Sequence, residues 1–425
     1  MKVAVIGAGI VGVSTALWLQ RDGAEVILID RVGPAEGTSY GNAGVLASCS
    51  VVPVTTPGLI GKAPKMLFSP DEPLFLKWGY LPKLAPWLVR YLRHANADDA
   101  RRIAAALVGL VGESLADHQA VAEGTPAARY IAPSDYTYAY RDKAAFEGDA
   151  FTWELRRAHG FVPVIDEGTA VAAYDPLLGP EVSFLARVPG HGHIKDPGAY
   201  VKALADHAVA NGARLVIGTA QDVARAAGTV IGVVVDGETI AADAVVVATG
   251  VWSGPLAEAL GIKVPLESER GYHIELLEPS AMPVAPTMFP AGKFVATPME
   301  GRLRIAGVVE FGGLDAPPSR APFALLEKGI RKAMPTLTWK GTTEWMGHRP
   351  ATTDSLPLIG PVPGVKGAYL GFGHQHVGLT SGPKTGRLLA QLVMGRTPNI
   401  DITPYAPSRF SSSKPSLAQQ METTG

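Results

Sequence analysis

At 425 residues the chain is too long for a single hydrophobic core and calls for two or three domains. Its 47% hydrophobic and 18% charged residues fit a folded globular protein, and a net charge of -1 leaves no basic excess to neutralise a nucleic-acid backbone. The single cysteine, Cys49, excludes an internal disulfide framework and any Cys-x-x-Cys metal or redox pair.

Lys2 to Ile6 is a short β-branched run, expected as a buried strand. It enters Gly7-Ala8-Gly9-Ile10-Val11-Gly12, after which Val13 to Gln20 recur apolar at helical spacing. Val26 to Ile29 makes a second strand that ends at Asp30 and Arg31. This is a βαβ unit carrying G-x-G-x-x-G in its proper context, with an acid eighteen residues after the last glycine. Gly7 allows the tight turn, Gly9 lets a pyrophosphate approach the backbone, and Gly12 lets helix and strand pack closely. The positive helix end then faces the phosphates. Asp30 suits a ribose diol and repels a 2′-phosphate. The pattern predicts an adenine dinucleotide site. A strand starting at residue 2 leaves no room for a signal peptide, and no run approaches the roughly 20 apolar residues of a spanning helix, so a cytoplasmic location is expected.

Gly37 to Gly44 is glycine-rich and dense in small hydroxyl and amide side chains. It suits close approach to a flat ring or phosphate, or is an ordinary surface turn. From Pro53 to Arg93 prolines, aromatics and basic residues concentrate, and Lys83 onward forms an amphipathic helix. That helix either rests peripherally on the inner face of a membrane or, the commoner case, covers a domain with its cations solvated. Ala97 to Glu123 is expected as helix, Tyr130 to Tyr140 as strand, and Ala144 to His159 as helix.

Asp196 and Pro197 make a good start for a helix over Gly198 to Asn211. His191 and His193 hint at a metal, but no third ligand is near and no metal site is expected. Val230 to Val235 and Glu238 to Ala242 pair about Asp236-Gly237, a hairpin turn. Ala244 to Ala248 is a continuous apolar run, as in a parallel strand covered on both faces, followed by Thr249, Gly250 and Trp252. From Val264 to Thr343 strands dominate, predicting an antiparallel floor, with Tyr272 and His273 as pocket residues or plain strand residues. Pro322 to Met334 reads as an amphipathic helix. Arg349 presents the planar fork that bidentate carboxylate recognition needs, or else is a partner for the dinucleotide and the surrounding loops, or serves a structural salt bridge. Tyr369 to Phe372 is a last buried strand, and Gly373-His374-Gln375-His376-Val377-Gly378-Leu379-Thr380 turns into a helix over Pro383 to Met394. Such a turn again aims backbone N–H groups at a ligand. Beyond Pro404 the composition is that of a disordered tail.

Taken together, the βαβ unit, Thr38-Ser39…Asn42-Ala43-Gly44, Ala248-Thr249-Gly250 and Gly373-His374…Gly378-Leu379-Thr380 resemble the FAD-dependent D-amino acid dehydrogenase and oxidase family, within the glycine oxidase and sarcosine oxidase group. The likeness runs from Gly7 to Thr380. Gly347, Arg349, Pro350, Asp354, Pro357, Ile359 and Gly360 also match that family's Gly-x-Arg-Pro…Asp…Pro-x-Ile-Gly segment. The resemblance implies non-covalent FAD, with Thr38, Ser39, Asn42, Ala43, Gly44 and Leu46 near the flavin and pyrophosphate and Val223 near the adenine. It places Gly373, Val377, Gly378, Leu379 and Thr380 at the pyrimidine edge and His374 beside the ring. His376 stands where the family more often has a small residue.

The expected fold class is α/β: a Rossmann-type FAD-binding domain (1–60, 191–262 and 346–404), a discontinuous α+β substrate domain on an antiparallel sheet (61–190 and 263–345), and a flexible tail (405–425). The expected reaction is oxidative deamination of a D-amino acid, cyclic ones such as D-proline or hydroxy-D-proline included, by hydride transfer from Cα to flavin N5. Arg349 would anchor the carboxylate, with Tyr272, His273 and His374 shaping the pocket. Oxygen or a quinone would reoxidise the flavin. Sarcosine or another secondary amine as substrate, or a non-catalytic flavin-binding subunit, are the alternatives. A single cysteine at position 49 argues against covalent flavin attachment.

Overall fold

The computed structural model describes residues 1–61 and 74–410. Two sheets organise them. The first has six strands in the order Leu358–Pro361, Ala368–Phe372, Ala244–Val247, Lys2–Ile6, Glu25–Asp30, Arg214–Ile217, all pairs parallel except the outermost Leu358–Pro361 with Ala368–Phe372. Both faces are covered, which is why its strands read as unbroken apolar runs. Val3, Val5, Val26 and Leu28 point to one side, where they meet the helices Ile10–Arg21, Pro197–Ala210 and Gly378–Val393. Ala4, Ile6, Ile27 and Ile29 point to the other, against Val223, Val230 and Val233 of a three-stranded antiparallel sheet. In that small sheet the Asp236-Gly237 turn has positive φ at both residues (48° and 87°), the geometry a tight hairpin requires.

The second sheet is larger than the expected floor. Its main path runs Gly341–Thr352, Leu266–Leu277, Arg302–Phe311, Phe294–Met299, Thr287–Phe289, Ile131–Tyr140, Phe184–Ile194, Val45–Leu46. The pairs along it are antiparallel except Thr287–Phe289 with Ile131–Tyr140. One face is sealed by the helix Arg320–Ala333, whose Phe323, Leu326 and Ile330 pack on Tyr272, Ile274 and Ile305. The expected limits at 190/191 and 345/346 both fall inside single strands, so the chain passes from one layer to the next along continuous strands.

Several elements differ from the reading of the sequence. The long helix expected over Ala97 to Glu123 is two, Ala97–Val111 and Ser114–Ala122, parted at Gly112. The one expected over Ala144 to His159 is also two, parted at Asp149. The chain past Pro404 stays packed as far as Phe410: Tyr405 is buried, and Arg409 pairs with Asp354 at 2.7 Å. Residues 411–425 of the expected tail and 62–73 of the aromatic and basic segment lie outside the described residues. In the helix Leu81–Arg93 the aromatic face is turned inward. Leu84, Trp87 and Tyr91 are buried beside Phe311 and Ala351, and the Trp87 indole donates to the Pro265 carbonyl. Among the described residues no helix is long and apolar enough to cross a membrane.

Candidate active site

A cleft of about 610 Å3 opens between the carboxyl ends of the parallel strands and the uncovered face of the large sheet. That is where an open α/β sheet offers a ligand site. At its deep end the first βα turn is built as the glycines require. Gly7 sits at φ 105°, and a Cβ there would stand 2.4 Å from the Ala248 carbonyl oxygen. A Cβ on Gly12 would stand 1.8 Å from the Gly7 oxygen, so Gly12 is a packing glycine and does not itself line the cleft. Gly9, Ile10 and Val11 do line it, and the Ser39 hydroxyl accepts from the Ile10 N–H at 3.0 Å, tying the glycine-rich loop to the helix start.

Asp30 lines the cleft with Arg31. Its carboxylate accepts from the Ala8, Val32 and Gly33 N–H groups at 2.8, 3.0 and 3.1 Å. A carboxylate has about four acceptor positions, so one stays free for a ribose hydroxyl. Arg31 stacks on Trp252 with its guanidinium 4.0 Å from the ring centre. Thr38, Ser39, Asn42, Ala43, Ala248, Thr249, Gly250, Gly378, Leu379 and Thr380 also line the cleft. Thr38 donates to the His348 carbonyl, and Asn42 accepts from the Gly44 N–H at 2.8 Å, closing the loop on itself.

Other expected positions stand behind the wall. Ala8, Gly44, Leu46, Gly373 and Val377 do not line the cleft. Val223 is buried in the core beneath the small sheet, and the cleft is bordered on that side by Gly218 to Gln221. The His273 ring is buried, stacks on Trp345 at 5.2 Å and shares a hydrogen bond with the Gly41 carbonyl at 3.0 Å; burial holds it down at about 3, hence neutral. Tyr272 touches the cleft, but its side chain lies on the sealed face: the ring packs on Phe323 and the hydroxyl donates to Glu310 at 2.5 Å. Successive strand residues face opposite ways, so Tyr272 and His273 cannot both point into one pocket. His374 lines the cleft with its ring pinned to Thr385 at 3.0 Å, held by burial at about 3. His191 and His193 are separately engaged, by the Cys49 N–H and by the Ser134 hydroxyl.

The substrate side of the cleft is built around Arg349. The strand Arg302–Phe311 carries an extra residue opposite Gly271, and at this bulge Val308 has φ 50°. A β-branched residue in the left-handed region costs roughly 1–3 kcal/mol and marks a place where the backbone is held for a purpose. Here the bulge turns two carbonyls toward Arg349, which donates to Val308 at 3.0 Å and Gly307 at 3.4 Å. Among the described residues no carboxylate lies within 4 Å of the Arg349 guanidinium, so the structural salt bridge is not made. Gly271 leaves room for it, since a Cβ there would meet Cζ at 2.3 Å. Tyr136, Met288, Val295, Ala306 and Trp345 supply apolar walls, and His376 stands at the edge. None of these wall residues was singled out from the sequence. Their period-two strand pattern was visible, but which face would be left uncovered was not.

The chain matches the model of the family described as FAD dependent oxidoreductase over residues 2–392. It belongs to that family. Among its relatives, a D-amino-acid oxidase of Bradyrhizobium diazoefficiens is 38% identical over 96% of this chain and 98% of its own. A D-amino acid dehydrogenase of Rhizorhabdus wittichii is 32% identical over 96% of this chain and 100% of its own. In fold the chain resembles the glycine oxidase of Geobacillus kaustophilus, with a TM-score of 0.73 at 21% identity, covering 97% of this chain and 98% of that one. This family member is therefore an oxidoreductase with FAD as its cofactor. The cradle fits the group: a Cβ on Gly9 would meet only the Ser39 hydroxyl, at 3.2 Å, which leaves the backbone open to a phosphate.

Proposed function

We propose that the enzyme oxidises a D-amino acid to the imine, which water converts to the 2-oxo acid. The observation that carries this reading is Arg349: a guanidinium at the cleft wall, aimed by two carbonyls and bonded to no carboxylate. The names of the two relatives support the D-configuration. When bound, FAD takes up the two electrons of the Cα–H bond. Gly9, Ile10, Ser39, Asn42, Thr249, Leu379 and Thr380 would hold it, and Asp30 would take the ribose. Arg349 anchors the substrate carboxylate through paired charge-assisted hydrogen bonds, and the walls from Tyr136 to Trp345 take an apolar side chain, cyclic amino acids included. The protein's part is orientation and exclusion of water.

The test is anaerobic mixing of the holoenzyme with a panel of D- and L-amino acids, D-proline, hydroxy-D-proline and sarcosine, following the flavin absorbance. Bleaching by D-amino acids supports the reading. Bleaching by sarcosine alone moves the substrate to secondary amines. A flavin that no amine reduces identifies a non-catalytic subunit and refutes the reading. Readmitting air separates oxygen from a quinone as acceptor, and sedimentation with anionic vesicles tests the peripheral membrane contact.

A further inference from the structure

Among the described residues His376 is the one cleft-lining imidazole whose hydrogen-bond partner is a carboxylate: its Nε2 lies 2.7 Å from the Glu269 carboxylate. Glu269 is buried on the strand Leu266–Leu277. Burial pushes that carboxyl up, but His376 and then Arg349 more than offset it, so it is held ionised below the usual range. The turn that delivers His376 is itself constrained. Gln375 stands at φ 47°, an uncommon value for a residue other than glycine, and its amide is tied to the Thr352 carbonyl at 3.0 Å. Other charged and titratable groups packed around the pair are Arg349, Tyr91 and Glu267. Burial and the charge of Glu269 keep the Tyr91 hydroxyl protonated, and Glu267 is bonded to the Tyr80 hydroxyl at 3.1 Å.

An amino acid reaches the cleft as a zwitterion, and its nitrogen lone pair must be freed before Cα–H can leave as hydride. A carboxylate that accepts from Nε2–H fixes the ring tautomer with its lone pair on Nδ1 and stabilises the cation formed when Nδ1 is protonated. We propose that His376 accepts the ammonium proton of the bound amino acid, with Glu269 as its positioning residue. This rests on the amino-acid reading above. In the step the substrate N–H bond breaks, an Nδ1–H bond forms, and the electron pair left on nitrogen becomes the C=N bond as the hydride leaves. The proton then passes from Nδ1 to solvent, since the His376 side chain is 37% exposed. The other cleft histidine, His374, is buried and bonded to Thr385.

The test uses the holoenzymes of wild type, His376→Gln and Glu269→Gln, with 2-aminoisobutyrate as ligand. It carries an ammonium and a carboxylate but no Cα–H, so its binding is read from the flavin spectrum without turnover. In the wild type its affinity should fall on acidification; His376→Gln should lose that limb, and Glu269→Gln should move it to lower pH. Propionate, which has no ammonium, should bind wild type and His376→Gln alike, showing that the cleft is intact. With the best D-amino acid, His376→Gln should lose roughly 10²-fold in kcat/KM at pH 7 and recover as the ammonium titrates at higher pH. An unchanged acid limb in His376→Gln, or a loss that high pH does not recover, overturns the proposal. If the wild-type flavin is reduced by no amino acid, the amino-acid reading falls first and this proposal with it.

Discussion

The buried Arg304 guanidinium donates through Nη1 to the Asn42 carbonyl at 2.6 Å, and to that of Tyr40 at 2.9 Å. A side chain of the large sheet thus fixes the loop that borders the cofactor cleft. Its Nη2 and Nε face Glu275 at 2.6 and 3.0 Å, and Glu275 also binds Arg302, which reaches Asp196 at the start of the helix Pro197–Ala210. An ionic network therefore joins the large sheet to a helix that covers the parallel one.

Arg304→Lys keeps the charge but cannot span two carbonyls and a carboxylate at once. The expected result is a folded protein that retains FAD poorly, with an FAD dissociation constant raised roughly tenfold or more, as for the loss of one or two charge-assisted bonds of ~1.5–3 kcal/mol each. Ultrafiltration followed by flavin titration of the retained protein measures it. Retention equal to wild type would show that the loop needs no such support.

Gly271→Ala tests the lane in which Arg349 lies. The new Cβ would stand 2.3 Å from Cζ, so the guanidinium must move. The expected signature is selective: KM for the amino acid rises roughly tenfold or more, the worth of a displaced charge-assisted bond, while FAD occupancy is unchanged. A variant that loses flavin instead would place Gly271 in the cofactor cradle.

Much of the cofactor side was legible before the structure because its requirements are local. Gly7, Gly9, Gly12 and Asp30 belong to one βαβ unit, and the backbone geometry they impose is written in consecutive residues. The substrate side was not. Arg349 depends on a bulge at Val308 and a gap at Gly271, brought together by strand pairing across some forty to eighty positions. Nothing in the run Gly271-Tyr272-His273 announces which parity will face the cleft. The face is decided by where the helix Arg320–Ala333 lands, which turned Tyr272 and Arg270 to the sealed side and left Gly271 on the open one. His376 stood out in the sequence as a departure from the small residue more frequent in the resembled family, and its partner, Glu269, lies 107 positions away.

Arg349→Ala addresses the anchor directly. Loss of a desolvated charge-assisted pair costs about 2–5 kcal/mol, so kcat/KM for the best D-amino acid should fall roughly 10²–10³-fold. Propionate affinity should fall in parallel, because it shares only the carboxylate. A loss of turnover with propionate binding intact would remove Arg349 from the carboxylate site.

Acid stability gives a test that is independent of turnover. His118 is fully buried, its Nδ1 at 2.9 Å from the Tyr200 hydroxyl and its Nε2 at 2.9 Å from the Leu379 carbonyl at the head of the helix Gly378–Val393. Burial pushes it down to about 4, against the opposing pull of that carbonyl, while in the unfolded chain it titrates at its ordinary value near 6.5. Between those values the unfolded chain binds the extra proton, so its share of stability is complete above about 6.5 and is lost as pH falls through about 4. His193, also held at about 4 by burial, acts in the same direction over the same window. Urea unfolding of the holoenzyme should therefore show its midpoint falling steadily from pH 7 to pH 4. In His118→Gln, which cannot take up a proton, that slope should be shallower even though the starting stability is lower. An unchanged slope would mean that His118 is already protonated in the folded enzyme, which its bond to the Leu379 carbonyl would then have to support.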